Sequence, residues 1–315
     1  MWLHSHIPER VKKVRSVRLK RPKFLCFKDK AEIFLFILAS ISIIILFLII
    51  AFVLNEGIPA FIELGFSNFL FGHRWSPYYG DFGAFPLLYG SIMIVLGSLA
   101  ISVPLGVFTA IFLAEYSPRW LSNILKPVIE LLAAIPSIIY GFFGFMFLAP
   151  KIMEFLDVSM GKVALTASII LSIMTVPTIV SISSEVIASV PKEYRKASLA
   201  LGATKWQTIK SMVLPAAKPG IIASLLLAFG RAIGETVAVL MVCGCVPQIP
   251  SPPWNYLKPV HALTAAIALD MGEVSWGSLH YHVLFGLGVI LLVITFIVNA
   301  IADFFTKKAP RGVQI

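Results

Sequence analysis

Six long apolar runs dominate the sequence, and each is long enough to cross a lipid bilayer as a helix. The hydrocarbon core of a bilayer, about 30 Å thick, requires roughly 20 apolar residues of helix. The runs are bounded by charged residues, proline or glycine, and they are Ala31 to Leu54, Ala84 to Leu113, Val128 to Leu148, Val163 to Ile182, Pro219 to Gly244 and Val283 to Ile301. They lack the period-two alternation of barrel strands, and a backbone in lipid satisfies its polar groups within one helix. We therefore predict an all-α, polytopic integral membrane protein with six transmembrane helices.

The overall composition supports this prediction. Hydrophobic residues make up 58% of the 315 residues and charged residues 13%, which is about half the charged share of an ordinary soluble domain. The first run is also longer than the apolar core of a secretory signal, which spans about 7 to 15 residues. We therefore expect the first run to remain in the membrane as a helix.

Lysine and arginine are distributed unevenly between the two ends of the predicted helices. Of the 26 such residues, 21 fall in segments on the same side as both termini, and four fall in segments on the opposite side. Because cytoplasmic connections carry the excess of these residues, both termini are predicted to lie in the cytoplasm. Cations at membrane edges also account for the net charge of +10, so the expected partner of this charge is the lipid bilayer and not nucleic acid.

The connection between the fourth and fifth runs, VPKEYRKASLALGATKWQTIKSMVLPAAKPG, has a helical pattern. After a bend at Gly202, apolar residues recur at spacings of three or four, at Ala203, Trp206, Ile209 and Val213. This period predicts an amphipathic helix with Thr204 as its N-cap and Pro215 as its end. Two interpretations remain open: a helix that rests on the membrane surface, or one that inserts into the groove of a soluble partner.

The fifth run, AFGRAIGETVAVLMVCG, contains one cation and one anion. Twelve residues of helix place Arg231 about 18 Å beyond Pro219, near the middle of the membrane. Glu235 follows four residues later, so the two side chains share a helix face and can pair. A charge at that depth costs about 2.5 to 3.5 kcal/mol against lipid, so both are expected to point away from lipid. Gly230 and Gly234 share this spacing, which favours close approach of a neighbouring helix.

Two interpretations of the buried charges remain open. In the first, Arg231 and Glu235 form a structural ion pair. In the second, Arg231 lines the route of an anion and presents its forked guanidinium, while Glu235 orients this group and weakens its grip so that the anion can leave. The sequence places no other ionisable residue at that depth, which argues against an enzyme embedded in the membrane.

The three cysteines do not predict a metal centre. Cys26, Cys243 and Cys245 form no C-x-x-C pair, and no histidines accompany them at zinc-site spacing. We therefore expect neither a metal site nor a cofactor in this chain.

Six positions of the polar connection follow a recognisable pattern, at Lys196, Ala197, Ser198, Gly202, Leu214 and Pro215. They are similar to the EAA loop of ABC importer permeases, although lysine replaces the glutamate and serine replaces the second alanine of that motif. The segments ELLAAIPSIIYGFFGFMFLAP, FGRAIGETVAVLMVCG and FGAFPLLYGS resemble the C-subunit permeases of phosphate-specific transport (Pst) systems, within the MetI-like family. This resemblance covers roughly Phe82 to Ala302.

The resemblance implies a domain organisation. A basic cytoplasmic tail would occupy 1–30, a first transmembrane helix and outer loop 31–83, and a cytoplasmic tail 304–315. Between them, a five-helix MetI-like permease core would occupy 84–303 and carry a cytoplasmic coupling loop at 190–218. In that loop, Gly202 would supply the bend. Ala203 and Trp206, together with the six positions of the EAA-like pattern named above, would form the contact with an ATPase.

The resemblance also implies a function, which is the import of inorganic phosphate through the inner membrane of a prokaryotic cell. A sister permease would complete a heterodimer, two copies of an ATPase would bind ATP and magnesium, and an external phosphate-binding protein would deliver the substrate. The chain lacks the G-x-x-x-x-G-K-[ST] loop that cradles phosphates in ATPases, so we expect it to be a non-catalytic subunit. Two alternatives remain open: an ABC importer for sulfate, molybdate or tungstate, and a secondary anion transporter.

Overall fold

A computed structural model describes residues 30–307, with side chains for 33–304. The tails predicted at 1–30 and 304–315 therefore lie almost entirely outside the described residues. By its internal contacts the chain divides into Met1–Ala51 and Phe52–Ile315. The first unit contributes the beginning of helix α1, and all of the packing described below belongs to the second.

The described residues are predominantly helical. A two-stranded antiparallel ribbon joins β1 (Trp75–Ser76) to β2 (Asp81–Phe82), with Trp75 opposite Phe82. The helices are α1 (Lys30–Leu64), α2 (Phe66–Phe71), α3 (Phe85–Ile111), α4 (Arg119–Ala134), α5 (Ser137–Phe143), α6 (Ala149–Phe155), α7 (Ala164–Ser189), α8 (Lys192–Ala200), α9 (Lys205–Thr208), α10 (Leu214–Gly234), α11 (Val237–Val242), α12 (Leu263–Asp270) and α13 (Leu279–Lys307). Five-residue π-helical segments follow α3, α5 and α9, at Phe112–Tyr116, Gly144–Leu148 and Ile209–Val213.

The predicted number of transmembrane helices is confirmed. Within the described residues, six helical stretches are long and apolar enough to cross a membrane, namely Ile33–Leu64, Phe85–Tyr116, Ser137–Phe155, Ala164–Ser189, Lys205–Gly234 and Leu279–Phe304. The chain is therefore a multi-pass membrane protein.

The predicted start of the third span at Val128 is wrong. Pro136 has ψ 138°, so the chain is extended there, and the spanning helix begins at Ser137. The preceding residues form the separate helix α4, which is amphipathic and buries none of its side chains within this chain. Proline has no backbone N–H and its ring disfavours helical geometry before it, which explains why the apolar run is divided here.

Helix α7 is the centre of the bundle and packs against α3 and α10. Small residues allow close approach: a side chain at Gly106 of α3 would fall 2.7 Å from Ile179, and one at Gly220 of α10 would fall 2.5 Å from Val186. The buried polar residues of α7 are serine and threonine. Most of them donate a hydroxyl hydrogen bond to a backbone carbonyl of the same helix, as Ser168 does to Ala164. Such residues remain compatible with lipid-embedded packing because their polar groups are satisfied locally.

A segment that we call the strap, residues 245–262, covers one end of the bundle. Its Tyr256 donates a hydrogen bond to the Met93 carbonyl of α3 at 2.9 Å, and Tyr89 of α3 donates one to the strap carbonyl of Pro253 at 2.7 Å. Burial raises the pKa of Tyr256, and the nearby Tyr89 raises it further, so the phenol remains a hydrogen-bond donor at neutral pH. We call this the strap end of the bundle, and the opposite end, which carries α8 and α9, the coupling-loop end.

Candidate functional site

The fifth span is interrupted immediately after the charged stretch that the sequence singled out. Helix α10 ends at Gly234, Glu235 is extended with ψ 125°, and α11 begins at Val237. The prediction of one continuous helix to Gly244 is therefore wrong. The break is held by hydrogen bonds, because the Glu235 carbonyl accepts the Thr264 hydroxyl at 2.9 Å and the Glu235 carboxylate accepts the N–H of Ala238 at 3.2 Å.

The predicted pairing of Arg231 with Glu235 is also wrong, since no ion pair joins them in the described part of the chain. The Glu235 carboxylate instead binds a free N–H in the first turn of α11, a favourable position for a negative charge. The guanidinium of Arg231 donates to the Thr178 hydroxyl of α7 at 3.1 Å and to the Ala133 carbonyl of α4 at 3.4 Å. The break in the helix thus separates the two charges and gives each its own partners.

Arg231 lies at mid-height of the bundle and is exposed on its surface. Its partner Thr178 is 14 residues into the 26-residue helix α7, about 21 Å along a helix of about 39 Å. A guanidinium facing lipid at that height is unfavourable. This position therefore requires either a second protein chain or a water-filled path in front of Arg231, and a guanidinium fork in such a path is suited to bind an oxyanion.

Glu235 lines a small cavity on the inner side of the break. The cavity has a volume of about 10 Å³ and is bordered by Ser91, Leu171, Ala262 and Thr264, among others. This volume accommodates about one water molecule and is too small for an oxyanion. Glu235 is therefore placed to fix the break in the fifth span, while Arg231 is the charge that a solute could reach from the surface.

The two glycines beside Arg231 do not serve a close helix contact within this chain. A side chain at Gly230 would meet its nearest neighbour, Asn299, at 3.9 Å, and one at Gly234 would meet nothing within 4 Å. Their predicted role at an interface with another helix stays a prediction. The open surface that they leave lies next to the exposed guanidinium.

The coupling loop has the predicted bend and cap. Gly202 has φ 83°, a left-handed conformation that glycine adopts without strain. Thr204 and Gln207 form a reciprocal capping box at the start of α9, with the Thr204 N–H donating to Gln207 Oε1 at 2.8 Å and the Gln207 N–H donating to Thr204 Oγ1 at 3.3 Å. The predicted N-cap is confirmed.

The predicted end of this helix at Pro215 is wrong. The helical stretch runs without interruption from Lys205 to Gly234, because the π-helical segment Ile209–Val213 precedes Pro215 and places it in the first turn of α10. The coupling loop is consequently continuous with the span that carries Arg231.

The coupling loop presents an exposed surface. Trp206 is 49% exposed and Leu201 is 90% exposed. The other predicted coupling positions differ in burial: Lys196, Ala197, Gly202 and Pro215 are exposed, Ala203 and Leu214 are half-buried, and Ser198 is buried. Exposed aromatic and aliphatic side chains at the tip of a loop are typical of a protein contact surface.

An anchor at the base of the loop was not predicted from the sequence. Arg195 of α8 binds Oε1 of Glu115, at the end of the second span, at 2.7 and 3.0 Å, and also donates to the carbonyls of Ile187 and Val190. These carbonyls lie at the C-terminal end of α7, where the last turn has few helical N–H partners. Because 80 positions separate Arg195 from Glu115, sequence spacing contains no signal for this contact.

One group of side chains in the described residues has the composition of a metal site. The candidate ligand atoms of Cys243, Cys245 and His261 lie within 4.8 Å of one another. The sequence pattern does not indicate this cluster, because His261 reaches the cysteines only through the fold of the strap. It lies at the strap end, away from Arg231 and the coupling loop.

Comparison with known proteins identifies the family to which this arrangement belongs. The family model described as "Binding-protein-dependent transport system inner membrane component" matches residues 102–311, more than half of the chain. The "Probable ABC transporter permease protein YqgH" of Bacillus subtilis (strain 168) is 39% identical over 257 residues, which cover 80% of this chain and 82% of that protein.

Other similar proteins agree with this match. The "Phosphate transport system permease protein PstC" of Xylella fastidiosa is 34% identical over 269 residues, covering 79% of this chain and 82% of that protein. The protein of the same name from Mesorhizobium japonicum is 36% identical over 263 residues, covering 78% and 79%. A solved inward-facing structure of the MetNI methionine ABC transporter shares the fold, with a TM-score of 0.53 and 18% identity over 73% of this chain and 95% of that chain. The chain belongs to the family of inner membrane components of binding-protein-dependent transport systems.

Proposed function

We propose that this chain is the permease subunit of an ABC importer that carries inorganic phosphate into the cell. The observation that carries the proposal is the guanidinium of Arg231, which is exposed at mid-height of a membrane-spanning bundle. The relatives named as phosphate transport permeases support phosphate as the anion. ATP hydrolysis belongs to a separate ATPase that binds ATP and magnesium, because this chain lacks a phosphate-cradling loop.

Arg231 acts as the anion-binding residue of the translocation path. Its two hydrogen bonds, to Thr178 and Ala133, use one proton of each terminal nitrogen, so N–H donors remain for a phosphate oxygen. Both bonds go to neutral acceptors, and the charge of Arg231 is therefore not neutralised by a carboxylate. A conducting site must bind its ion strongly enough to admit it and weakly enough to release it, and a single guanidinium with neutral partners meets that requirement.

Glu235 has a positioning role in this path. Its carboxylate and carbonyl hold the start of α11 and the Thr264 side chain, and thereby maintain the interruption of the fifth span. Interrupted helices near the membrane midplane supply binding groups in many transporters. Movement at this break would change the position of Arg231 relative to α7.

The open surface beside Arg231 is the contact surface for a sister permease in a heterodimer. Gly230 and Gly234 lie on it and leave room for a second helix. A partner there shields the guanidinium from lipid and closes the path around it. An external phosphate-binding protein delivers the anion at the strap end.

The coupling-loop end faces the cytoplasm and receives one of two ATPase copies. Trp206 and Leu201 insert into a groove of the ATPase, and the continuous helix from Lys205 to Gly234 transmits its motion towards Arg231. A helix can transmit rigid-body motion over such a distance when both of its ends are held. The Arg195–Glu115 anchor holds the base of the loop for this purpose.

The test is transport by the reconstituted importer with Arg231→Gln. The importer is assembled in proteoliposomes with its sister permease, ATPase and phosphate-binding protein, and uptake of labelled phosphate and labelled sulfate is measured. Loss of a charged hydrogen-bond partner, about 1.5 to 3 kcal/mol, predicts a fall in phosphate uptake of about 10- to 150-fold. Arg231→Lys keeps the charge but lacks the fork, so an intermediate rate is expected.

Arg119→Gln is the matched control, because it removes the same group from an exposed position at the start of α4 and should leave uptake unchanged. Wild-type uptake by an assembled Arg231→Gln complex would overturn the role of Arg231. Preferential uptake of sulfate by the wild-type complex would overturn phosphate as the substrate.

A further inference from the structure

The strap end contains a compact group of two thiols and one imidazole with no role in the transport path described above. The sulfur atoms of Cys243 and Cys245 are 3.7 Å apart, and a ring nitrogen of His261 lies within 4.8 Å of both. Cys243 and His261 are buried and Cys245 is half-buried. All three are therefore largely withdrawn from solvent.

The backbone around the group is fixed by packing. Val260 pairs with Gly244 as a parallel bridge and donates its N–H to the Cys243 carbonyl at 3.0 Å. Gly244 has φ 88°, and a side chain there would fall 2.5 Å from the Lys162 carbonyl, so the two cysteines are held on either side of a tightly enclosed turn. This bridge is the reason why His261, the next residue after Val260, reaches the thiols.

His261 provides independent evidence for a ligand. The residue is only 3% exposed, and its Nδ1 atom has no hydrogen-bond partner. A buried polar atom without a partner is unfavourable by about 1 to 3 kcal/mol, and native structures leave few such atoms unsatisfied. A buried imidazole with an unpartnered nitrogen, next to two thiols, is an arrangement that a metal ion can complete.

The distances fit a tetrahedral metal ion. Zinc binds cysteine sulfur at about 2.3 Å and histidine nitrogen at about 2.0 to 2.1 Å, so two sulfur ligands on tetrahedral zinc are about 3.8 Å apart and a sulfur and a nitrogen about 3.6 Å apart. The observed sulfur separation of 3.7 Å already meets the first value. The imidazole needs to approach by at most about 1.2 Å to meet the second.

We propose that Cys243, Cys245 and His261 bind a single thiophilic d¹⁰ metal ion, Zn²⁺ or Cu⁺. Thiolate and imidazole are the ligands that these ions prefer. On binding, each thiol releases its proton to solvent, and two thiolates with a neutral imidazole neutralise Zn²⁺ completely. Three protein ligands leave a fourth position open, and Cu⁺ is satisfied by the three alone.

The bound ion would fasten the end of the fifth span to the strap. Cys243 immediately follows α11, whereas His261 lies three residues before Thr264, whose hydroxyl holds the Glu235 carbonyl. Metal occupancy therefore ties together both segments that meet at the helix break. This is a structural role, and it is independent of which anion the importer carries.

The test measures metal binding to the full-length protein in its assembled complex, in a Cys26→Ser background that leaves only the two cysteines of the group. The protein is reduced with a phosphine, freed of metal, and titrated separately with Zn²⁺, with Co²⁺ as a spectroscopic substitute for Zn²⁺, and with Cu⁺ under anaerobic conditions. One equivalent of Zn²⁺ or Cu⁺ per chain is expected. Bound Co²⁺ should show the thiolate charge-transfer band and the intense visible bands of a tetrahedral site.

His261→Ala should weaken binding by at least about 100-fold, because loss of groups that only support a ligand already weakens metal binding 10- to 100-fold. His73→Ala, which removes a histidine elsewhere at the strap end, is the matched control and should bind as the parent does. A readout that needs no variant is alkylation: bound metal should protect the thiol of Cys245, which is half-buried, and a chelator should restore its reactivity.

Absence of stoichiometric binding of both ions to the reduced, folded parent would overturn the proposal. So would equal alkylation of Cys245 with and without metal. A change in phosphate transport is not among these readouts, so failure here leaves the proposed function untouched.

Discussion

Replacing Arg195 by alanine should release helix α8 from the rest of the bundle. The Arg195 guanidinium holds three groups at once: the Glu115 carboxylate of the second span and the carbonyls of Ile187 and Val190 at the end of α7. These contacts connect the base of the coupling loop to the second and fourth spans. A motion of the ATPase can reach the spans only if this base is firm.

The expected magnitude follows from the burial of the pair. The Glu115 side chain is 8% exposed and that of Arg195 is 20% exposed, so alanine leaves a carboxylate largely buried and unpaired. Removing one partner of a buried ion pair costs about 3 to 5 kcal/mol, and the partial exposure of Arg195 favours the lower value, about 3 kcal/mol. Because about 1.4 kcal/mol corresponds to a factor of ten, local opening of α8 should become about 150-fold more frequent.

Hydrogen–deuterium exchange of the purified chain in lipid nanodiscs measures this opening directly. Amides of α8 should exchange about 150-fold faster in Arg195→Ala, while amides in the centre of α7 keep their protection. Lys196→Ala is the matched control, since Lys196 is the exposed neighbour on the same helix and its loss should change exchange by less than about twofold. If α8 exchanges no faster in Arg195→Ala than in Lys196→Ala, the anchoring role is refuted.

Three further predictions test other parts of the molecule. Trp206→Glu should weaken binding of the ATPase by at least about 30-fold, because loss of a central aromatic contact costs about 2 kcal/mol or more. Unchanged affinity in a pull-down titration would instead favour a helix that rests on lipid. Gly90→Ala should sharply reduce the yield of folded protein in size-exclusion chromatography, because the added carbon would collide with the backbone carbonyl of His261. Gly230→Ala is the control and should fold normally, since the nearest neighbour of the added carbon is 3.9 Å away. Equal yields of the two variants would contradict the packing described. Thr204→Ala removes the cap of α9, worth about 1 kcal/mol, and should speed amide exchange there about fivefold; unchanged exchange would show that the cap contributes nothing.

The parts of the fold that depend on local sequence were predictable. Apolar runs of membrane-spanning length identified six helices because the length needed to cross lipid is set by the bilayer itself. The bend at Gly202 and the cap at Thr204 also follow from local chemistry, since glycine tolerates a positive φ and the threonine side chain satisfies a free N–H. Each of these features depends on a few neighbouring residues.

The breaks within apolar runs were not predictable in the same way. Hydropathy does not distinguish one long helix from two short ones, so the interruption at Glu235 was missed although Gly234 is a typical residue for a helix end. Pro215 had the opposite effect: the preceding π-helical segment let the helix continue through a residue that usually ends one. At Glu235 the outcome depends on a contact with a distant residue, Thr264.

Contacts between distant residues account for the remainder of the site. The partners of Arg231 lie 53 and 98 positions away, at Thr178 and Ala133. His261 meets Cys243 only because the strap folds back on the end of α11. Four residues of spacing suggested a pair between Arg231 and Glu235, but a pair on one helix face requires an unbroken helix between the two residues.

The most direct test of the transport path is the solvent accessibility of position 231 in the assembled importer. Arg231→Cys is placed in a background in which the three native cysteines are replaced by alanine, and its reaction with a negatively charged, membrane-impermeant thiol reagent is measured in the presence and absence of phosphate. Phe296→Cys, on the exposed surface of α13, provides a matched control. We expect position 231 to react, with no protection by phosphate because the substitution removes the guanidinium that would bind it, while position 296 stays unreactive. Reaction of position 231 only with lipid-soluble reagents, in every state of the transport cycle, would contradict the claim that Arg231 lines a path for the anion.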